Sequence, residues 1–389
     1  MYVLIGPAGS SYGASPLDRA EALGSARHRE AVHITLSRTP GDFLNLRHKL
    51  SRRMLWKGGH FFFARNARTR IVNFARYLVE RKRTSRVRYL PPLVFLDTSV
   101  ACNLRCPGCA TGLRVVRPAP KAGLEFMKGV IDQVSATAVE ISFFHWGEPF
   151  LNDQVFEAIG YARSKGVWTV ASSHLSLKLP DLPRRIAASG LHELLVSCDG
   201  ATQETYAKYR KGGDLELVWS NLREIREHRE RLKRRSPILR AKMIVFEHNW
   251  HEAKAFRSLA IENGADEVEF AFGNGEDFFR KQIMGGGSRF DIVDLAWKEK
   301  MPEGICDEIW QALYVTPDGG AQSCCMGHKE EHLFALPEAH PDIRQVWNNE
   351  SFVASRNYFL GRAGAEQTPA ACRDCLYVTN FPGRPRGSG

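Results

Sequence analysis

Asp97-Thr98-Ser99-Val100-Ala101-Cys102-Asn103-Leu104-Arg105-Cys106-Pro107-Gly108-Cys109 places three cysteines with three and then two residues between them. The loop follows Leu93–Asp97, an apolar run that reads as a strand, and precedes Gly123–Gln133, which reads as a helix. Three thiolates this close in sequence can wrap one face of a cuboidal iron–sulfur cluster and leave its fourth iron without a protein ligand. A structural zinc takes four ligands, usually as two Cys-x2-Cys pairs, and this loop supplies three.

Outward from the loop, strands and helices alternate. Ala138–Phe144, Trp168–Ser172, Glu193–Ser197, Leu239–Phe246 and Glu267–Phe272 read as strands. Asp153–Lys165, Leu182–Ser189, Leu215–Arg235 and Glu252–Asn263 read as helices. Such βα units imply a parallel sheet, and six of them make a partial (β/α)6 barrel of the TIM type, with chemistry at the C-terminal ends of the strands. The expected domains are a basic helical N-terminal extension (1–90), a core (91–280), a small Cys-rich C-terminal module (281–381) and a disordered tail (382–389).

Charge separates the extension from the core. Between Ser37 and Arg88 stand 15 Lys and Arg against Asp42 and Glu80, so a net charge of +11 over 389 residues leaves the remainder near neutral. Leu55, Trp56 and Phe61–Phe63 interleave with these cations. That pattern suits an anionic partner: a membrane surface, a phosphorylated substrate or a nucleic acid; the plainer alternative is a solvated helical arm packed on the core. Nothing in it singles out nucleic acid as the partner. The nine cysteines are odd in number and absent from residues 1–101. They argue against a secreted disulfide framework and for metal ligation in a reducing compartment. The expected location is therefore the cytoplasm, with peripheral membrane contact through the basic arm as a further expectation.

The loop and three later segments together resemble the radical S-adenosylmethionine (SAM) superfamily across Pro91 to Gly275. Gly147-Glu148-Pro149 is similar to the turn whose backbone holds the methionine end of SAM. Ser197-Cys198-Asp199-Gly200-Ala201-Thr202 is similar to a strand end with polar groups near SAM, and Tyr206–Gly213 to the segment that often follows. The chain departs from the pattern at Gly108, where an aromatic is common, and at Trp146, where a glycine is usual. The resemblance implies a [4Fe–4S] cluster on Cys102, Cys106 and Cys109. It also implies SAM contacts from Gly147, Glu148, Pro149, Ser197 and Asp199, and reductive cleavage of SAM to methionine and a 5′-deoxyadenosyl radical that abstracts hydrogen from a substrate.

Cys306, Cys324, Cys325 and the Cys372-x2-Cys375 pair form a second group. Spacing alone suits zinc or iron–sulfur. The order Cys…Asp-Gly…Cys-Cys…Cys-x2-Cys resembles the SPASM or twitch modules appended to radical SAM cores. That likeness implies an auxiliary [4Fe–4S] cluster on Cys306, Cys324, Cys372 and Cys375. Cys325 is then the spare thiol and a candidate hydrogen-atom donor, and His145 a candidate base. Cys198 alternates away from Ser197 and Asp199 along its strand, so it reads as a buried hydrophobe. Arg240 and Lys242 are candidates for the SAM carboxylate or an anionic substrate. The resemblance implies an enzyme that oxidises or otherwise tailors a sugar, cyclitol or similar metabolite, with the auxiliary cluster taking the second electron and flavodoxin or ferredoxin as external reductant. A redox-neutral epimerase or mutase on a carbohydrate or lipid-linked substrate and a peptide maturase are the alternatives.

Overall fold

The computed structural model describes residues 35–37, 66–272 and 306–373, apart from 247, 325, 326, 328 and 340. The chain divides into Met1–His33 and Ile34–Gly389, and the described residues all belong to the second unit. The expectations for Cys325, Cys375, the extension before residue 66 and the tail 382–389 lie outside the described residues.

Nine strands form one sheet among the described residues: β1 (Thr35–Ser37), β2 (Leu93–Leu96), β3 (Glu140–Ser142), β4 (Trp168–Ser173), β5 (Glu193–Ser197), β6 (Ile238–Val245), β7 (Glu267–Phe272), β8 (Ala312–Val315) and β9 (Ala321–Gln322). Their order is β1-β7-β6-β5-β4-β3-β2-β8-β9. From β2 to β7 each strand is the parallel neighbour of the next in sequence. A doubly wound sheet reverses its order at a switch point. The unbroken order here is that of a barrel wall, and the open ends make it a partial barrel.

The two faces differ in chemistry. Val94, Leu96, Ile141, Ala171, Leu194, Val196, Leu239, Ala241, Met243 and Val268 are buried in one core with Met127, Ile131, Ile159, Ile186, Leu222, Ile225 and Phe256. Those partners belong to the crossover helices α2 (Leu124–Val134), α3 (Val155–Ser164), α4 (Leu182–Ala188), α6 (Leu215–Arg231) and α7 (Ala253–Glu262), with α1 (Ala67–Glu80) and α5 (Gln203–Tyr209) completing the set. Burying each such side chain contributes roughly 1.5–3 kcal/mol. The opposite face carries Glu140, Ser142, Ser172, Glu193, Ser197, Arg240, Lys242 and Glu269, in matching register from strand to strand.

Helix boundaries follow local chemistry. Asp214 accepts the Leu217 N–H at 3.1 Å to start α6, and His228, Arg229 and Arg231 in its last turn oppose the helix dipole. Thr202 caps α5 in the same way. This helix was not among the sequence expectations, which treat its residues only as a motif.

The C-terminal segment joins the barrel wall directly. β8 pairs in parallel with β2, and β9 returns antiparallel after the Thr316–Gly320 turn, where Gly319 holds φ +92°. The helices α8 (Glu308–Gln311), α9 (Ile343–Val346), α10 (Glu350–Leu360) and α11 (Ala370–Arg373) follow. Buried Arg356 ties these pieces to the stretch after α1. It donates to Ile309 O, Trp347 O and Ser85 O, each at 3.0 Å, and stacks 4.5 Å over Trp347. Replacing Arg356 by Met removes the donor from three carbonyls, those of Ile309 and Trp347 in buried bonds and that of Ser85 in a part-buried one. The expected cost is about 2–4 kcal/mol of stability, read as a lower urea midpoint; a loss under about 1 kcal/mol contradicts the anchoring role.

Candidate active site

The cysteine loop begins where β2 ends and is fixed from three sides. Asp97 is buried, and its carboxylate accepts the Trp146 N–H at 3.3 Å and lies within reach of the Gly147 N–H. The Glu148 N–H donates to Ala101 O at 2.9 Å, so the turn after β3 lies flat on the loop. The fit allows only glycine at position 147: a Cβ there would stand 1.7 Å from Ser99 O. On the third side, the Arg105 N–H donates to Lys211 O at 2.9 Å.

Cys102, Cys106 and Cys109 meet in one apolar nest with Leu104, Tyr209, Ile244 and Phe246. The Leu104 N–H points at Cys102 Sγ at 3.4 Å. Burial pushes the Cys102 thiol up to about 12 and raises Cys106 as well. Left free, these thiols stay protonated at neutral pH. Thiolates in such a nest need a positive partner, and iron is such a partner. Among the described residues no three Cys, His, Asp or Glu side chains converge on a single-ion site.

Glu148 is buried beside the nest. Its carboxylate accepts the Phe150 N–H at 3.4 Å and the His174 N–H at 3.2 Å, and burial pushes it up to about 7. Nε2 of His174 lies 3.2 Å from the same carboxylate, off line for a hydrogen bond. Ser197 and Ser172 face each other across the inner face at 3.3 Å between hydroxyl oxygens. Asp199, 0% exposed, receives the Ile244 N–H on Oδ1 at 2.6 Å and Arg210 Nε on Oδ2 at 2.5 Å. Arg210 has no role of its own among the sequence expectations, where it stands only as part of the Tyr206–Gly213 segment. Its side chain is only 14% exposed, with Nη1 4.0 Å from Cys106 Sγ.

Other expected residues fall as follows. Cys198 is buried among the helix-facing residues of the sheet, its thiol 3.7 Å from Gly200 O. Arg240 sits among three carboxylates, at 2.8 Å from Glu193, 2.6 Å from Glu267 and 3.5 Å from Glu269, and Lys242 is 3.6 Å from Glu269. These cations are part of an internal ion network rather than an open anion site.

His145 follows β3 and rests between Trp146 and Tyr314, at ring centroid distances of 4.9 and 4.7 Å. Both ring nitrogens are sealed from solvent and have no hydrogen-bond partner. Burial lowers its pKa from 6.5 to about 3, so the ring is neutral and, against the expectation of a base, resists taking up a proton at neutral pH. The unfolded chain takes that proton near pH 6.5 and the folded one only near pH 3. The unfolded state thus binds more protons in between, and stability is lost as pH falls through this window. A His145→Phe variant, compared with wild type by urea midpoint at pH 7.5 and pH 5, should lose less stability on acidification; equal losses contradict the burial.

Of the second cysteine group, Cys372 is buried in the main core, and Cys306 and Cys324 pack against it. Ser323 Oγ lies 4.0 Å from Cys372 Sγ, which brings the strand end after β9 to α11. The two sites are mechanically joined: Trp146 Nε1 donates to Gly327 O at 2.8 Å, and Arg117 pairs with Asp318 at 2.7 Å. Trp146, in the usual glycine position, is thus the link between the turn on the cysteine loop and the C-terminal segment.

The chain thus combines a partial parallel barrel with a three-thiol nest at the rim of its first core strand. The radical SAM superfamily model matches residues 96–241, and an iron–sulfur cluster-binding (SPASM) domain model matches 306–376. The chain belongs to the radical SAM superfamily and carries a SPASM module, and with them a SAM-binding [4Fe–4S] cluster, SAM and an auxiliary cluster. It is 30% identical to an AdoMet-dependent heme synthase of Methanosarcina barkeri over 31% of this chain and 34% of that one, so the match spans about a third of that relative's length. It is 25% identical to a PqqA peptide cyclase of Xanthomonas euvesicatoria over 73% of this chain and 80% of that protein. Streptococcus suis SuiB bound to S-adenosylmethionine shares the fold at a TM-score of 0.58 and 11% identity, covering 75% and 72% of the two chains.

Proposed function

We propose that this chain is a radical SAM tailoring enzyme whose substrate is a peptide. The observation that carries the substrate class is the likeness to the PqqA peptide cyclase, which runs through most of both chains, whereas the heme synthase match covers a third. Oxidation of a sugar or cyclitol, the first expectation from the motifs, has no support among these relatives.

In this reading Cys102, Cys106 and Cys109 hold the SAM-binding cluster. Cys306, Cys324 and Cys372, with Cys375, hold the auxiliary one. When bound, the reduced cluster and SAM supply a 5′-deoxyadenosyl radical that takes a hydrogen atom from a substrate C–H. The chain's own residues do the rest. Gly147 lets the backbone turn lie against the loop, and Glu148 and Ser197 present polar groups beside it. The apolar shell of Leu104, Tyr209, Ile244 and Phe246 excludes water. Electrons come from an external reductant of the flavodoxin or ferredoxin kind.

No helix among the described residues is long and apolar enough to cross a membrane. Contact with an anionic membrane surface remains part of the proposal on one observation: α1 turns Ile71, Val72, Leu78 and Val79 outward, beside Arg68 and Arg76.

The substrate class is tested by giving the reduced, cluster-loaded protein SAM together with short peptides encoded beside its gene, and separately a panel of sugars and cyclitols. A peptide should stimulate 5′-deoxyadenosine formation and change mass. Stimulation by a sugar or cyclitol with none by peptides sinks the proposal.

A further inference from the structure

We infer that the ion pair of Arg210 with buried Asp199 sets the reduction potential of the SAM-binding cluster, acting through Cys106. The inference rests on the reading of Cys106 as a cluster ligand. Arg210 follows α5 and reaches back under the cysteine loop, where Nη1 stands 4.0 Å from Cys106 Sγ. Its Nε binds Asp199 Oδ2 at 2.5 Å. The guanidinium lies 5.4 Å over the Tyr209 ring, and that ring packs on Phe246, so the pair sits in apolar surroundings where charges are poorly screened. Arg210 also acts electrostatically on Glu148 and His174, so a single cation serves the loop, the turn after β3 and the end of β4.

Adding an electron to the cluster makes it more negative. A cation against one of its thiolates favours that electron, and a carboxylate beside the cation opposes it. The position of Asp199 restrains the cation in two ways. It fixes the guanidinium in place, and it cancels part of its field. Hence the two halves of the pair act with opposite sign, which a packing role does not produce.

The test is a redox titration of the cluster signal by electron paramagnetic resonance, on full-length reconstituted protein, for wild type, Arg210→Gln, Asp199→Asn and the double variant. At the wild-type midpoint, Arg210→Gln should lower the ratio of reduced to oxidised cluster by about tenfold, about 59 mV for a one-electron couple. Asp199→Asn should raise the ratio, and the double variant should return towards wild type. Coincident midpoints, or shifts of the same sign, overturn the inference while leaving the cluster assignment standing. Should Arg210→Gln shed its iron, Asp199→Asn decides alone: an upward shift supports the inference, and no shift or a downward one overturns it. A wild-type protein that takes up no cluster overturns both this inference and the reading of Cys106.

Discussion

Cys106→Ala should form no 5′-deoxyadenosine above background and should hold about four fewer irons per chain than wild type after reconstitution. Cys106 is the most enclosed of the three thiols. It packs with Leu104, Tyr209 and Phe246, and its backbone is the floor on which the rest of the loop rests. The Cys109 N–H donates to Cys106 O at 3.2 Å, and a Cβ on Gly112 would stand 2.3 Å from the same oxygen. An alanine fits that space, so the fold should survive and the iron should not. If Cys106→Ala keeps its full iron and still cleaves SAM, the nest does not hold the cluster.

Gly147→Ala carries the second large effect. The new methyl would overlap Ser99 O at 1.7 Å and crowd Ala101 O at 2.8 Å, and both are backbone atoms of the cysteine loop. No side-chain rotation relieves such a clash. The turn must lift, stretching the Glu148 N–H to Ala101 O bond and moving Glu148 away from the nest. A displacement near 1 Å at a reacting centre costs on the order of 100-fold in rate. SAM cleavage should therefore fall by about that factor while the three thiols still bind iron. Turnover within about threefold of wild type would show that the turn lies outside the working site.

The core strands are legible because each is a short run, apolar throughout or on alternate residues, bounded by turn residues, and their order follows from the βα alternation. The expected strand Glu267–Phe272 has the bounds of β7. The expected helix Leu215–Arg235 is too long, since α6 ends at Arg231 ahead of Lys233, where the backbone takes a positive φ. The insertion of β8 beside β2 was not legible: Ala312–Val315 is four apolar residues, and nothing in four residues specifies a partner more than 200 positions away. The role of Arg210 was hidden for a related reason. Three of the charges in Tyr206–Gly213 and the following turn look alike in sequence, and only the buried carboxylate of Asp199, brought by another strand, selects one of them. Strand alternation did place Cys198 correctly, because a two-residue period needs no long-range information.

The central claim is that the cysteine loop and its neighbouring turns support reductive cleavage of SAM. The most direct measurement is the products formed from SAM by the anaerobically reconstituted, reduced wild-type protein, with iron and zinc counted in the same sample. Methionine and 5′-deoxyadenosine in equal amounts, from protein holding about eight irons per chain, is the expected result. Intact SAM over an iron-loaded protein, or zinc in place of iron, would contradict it.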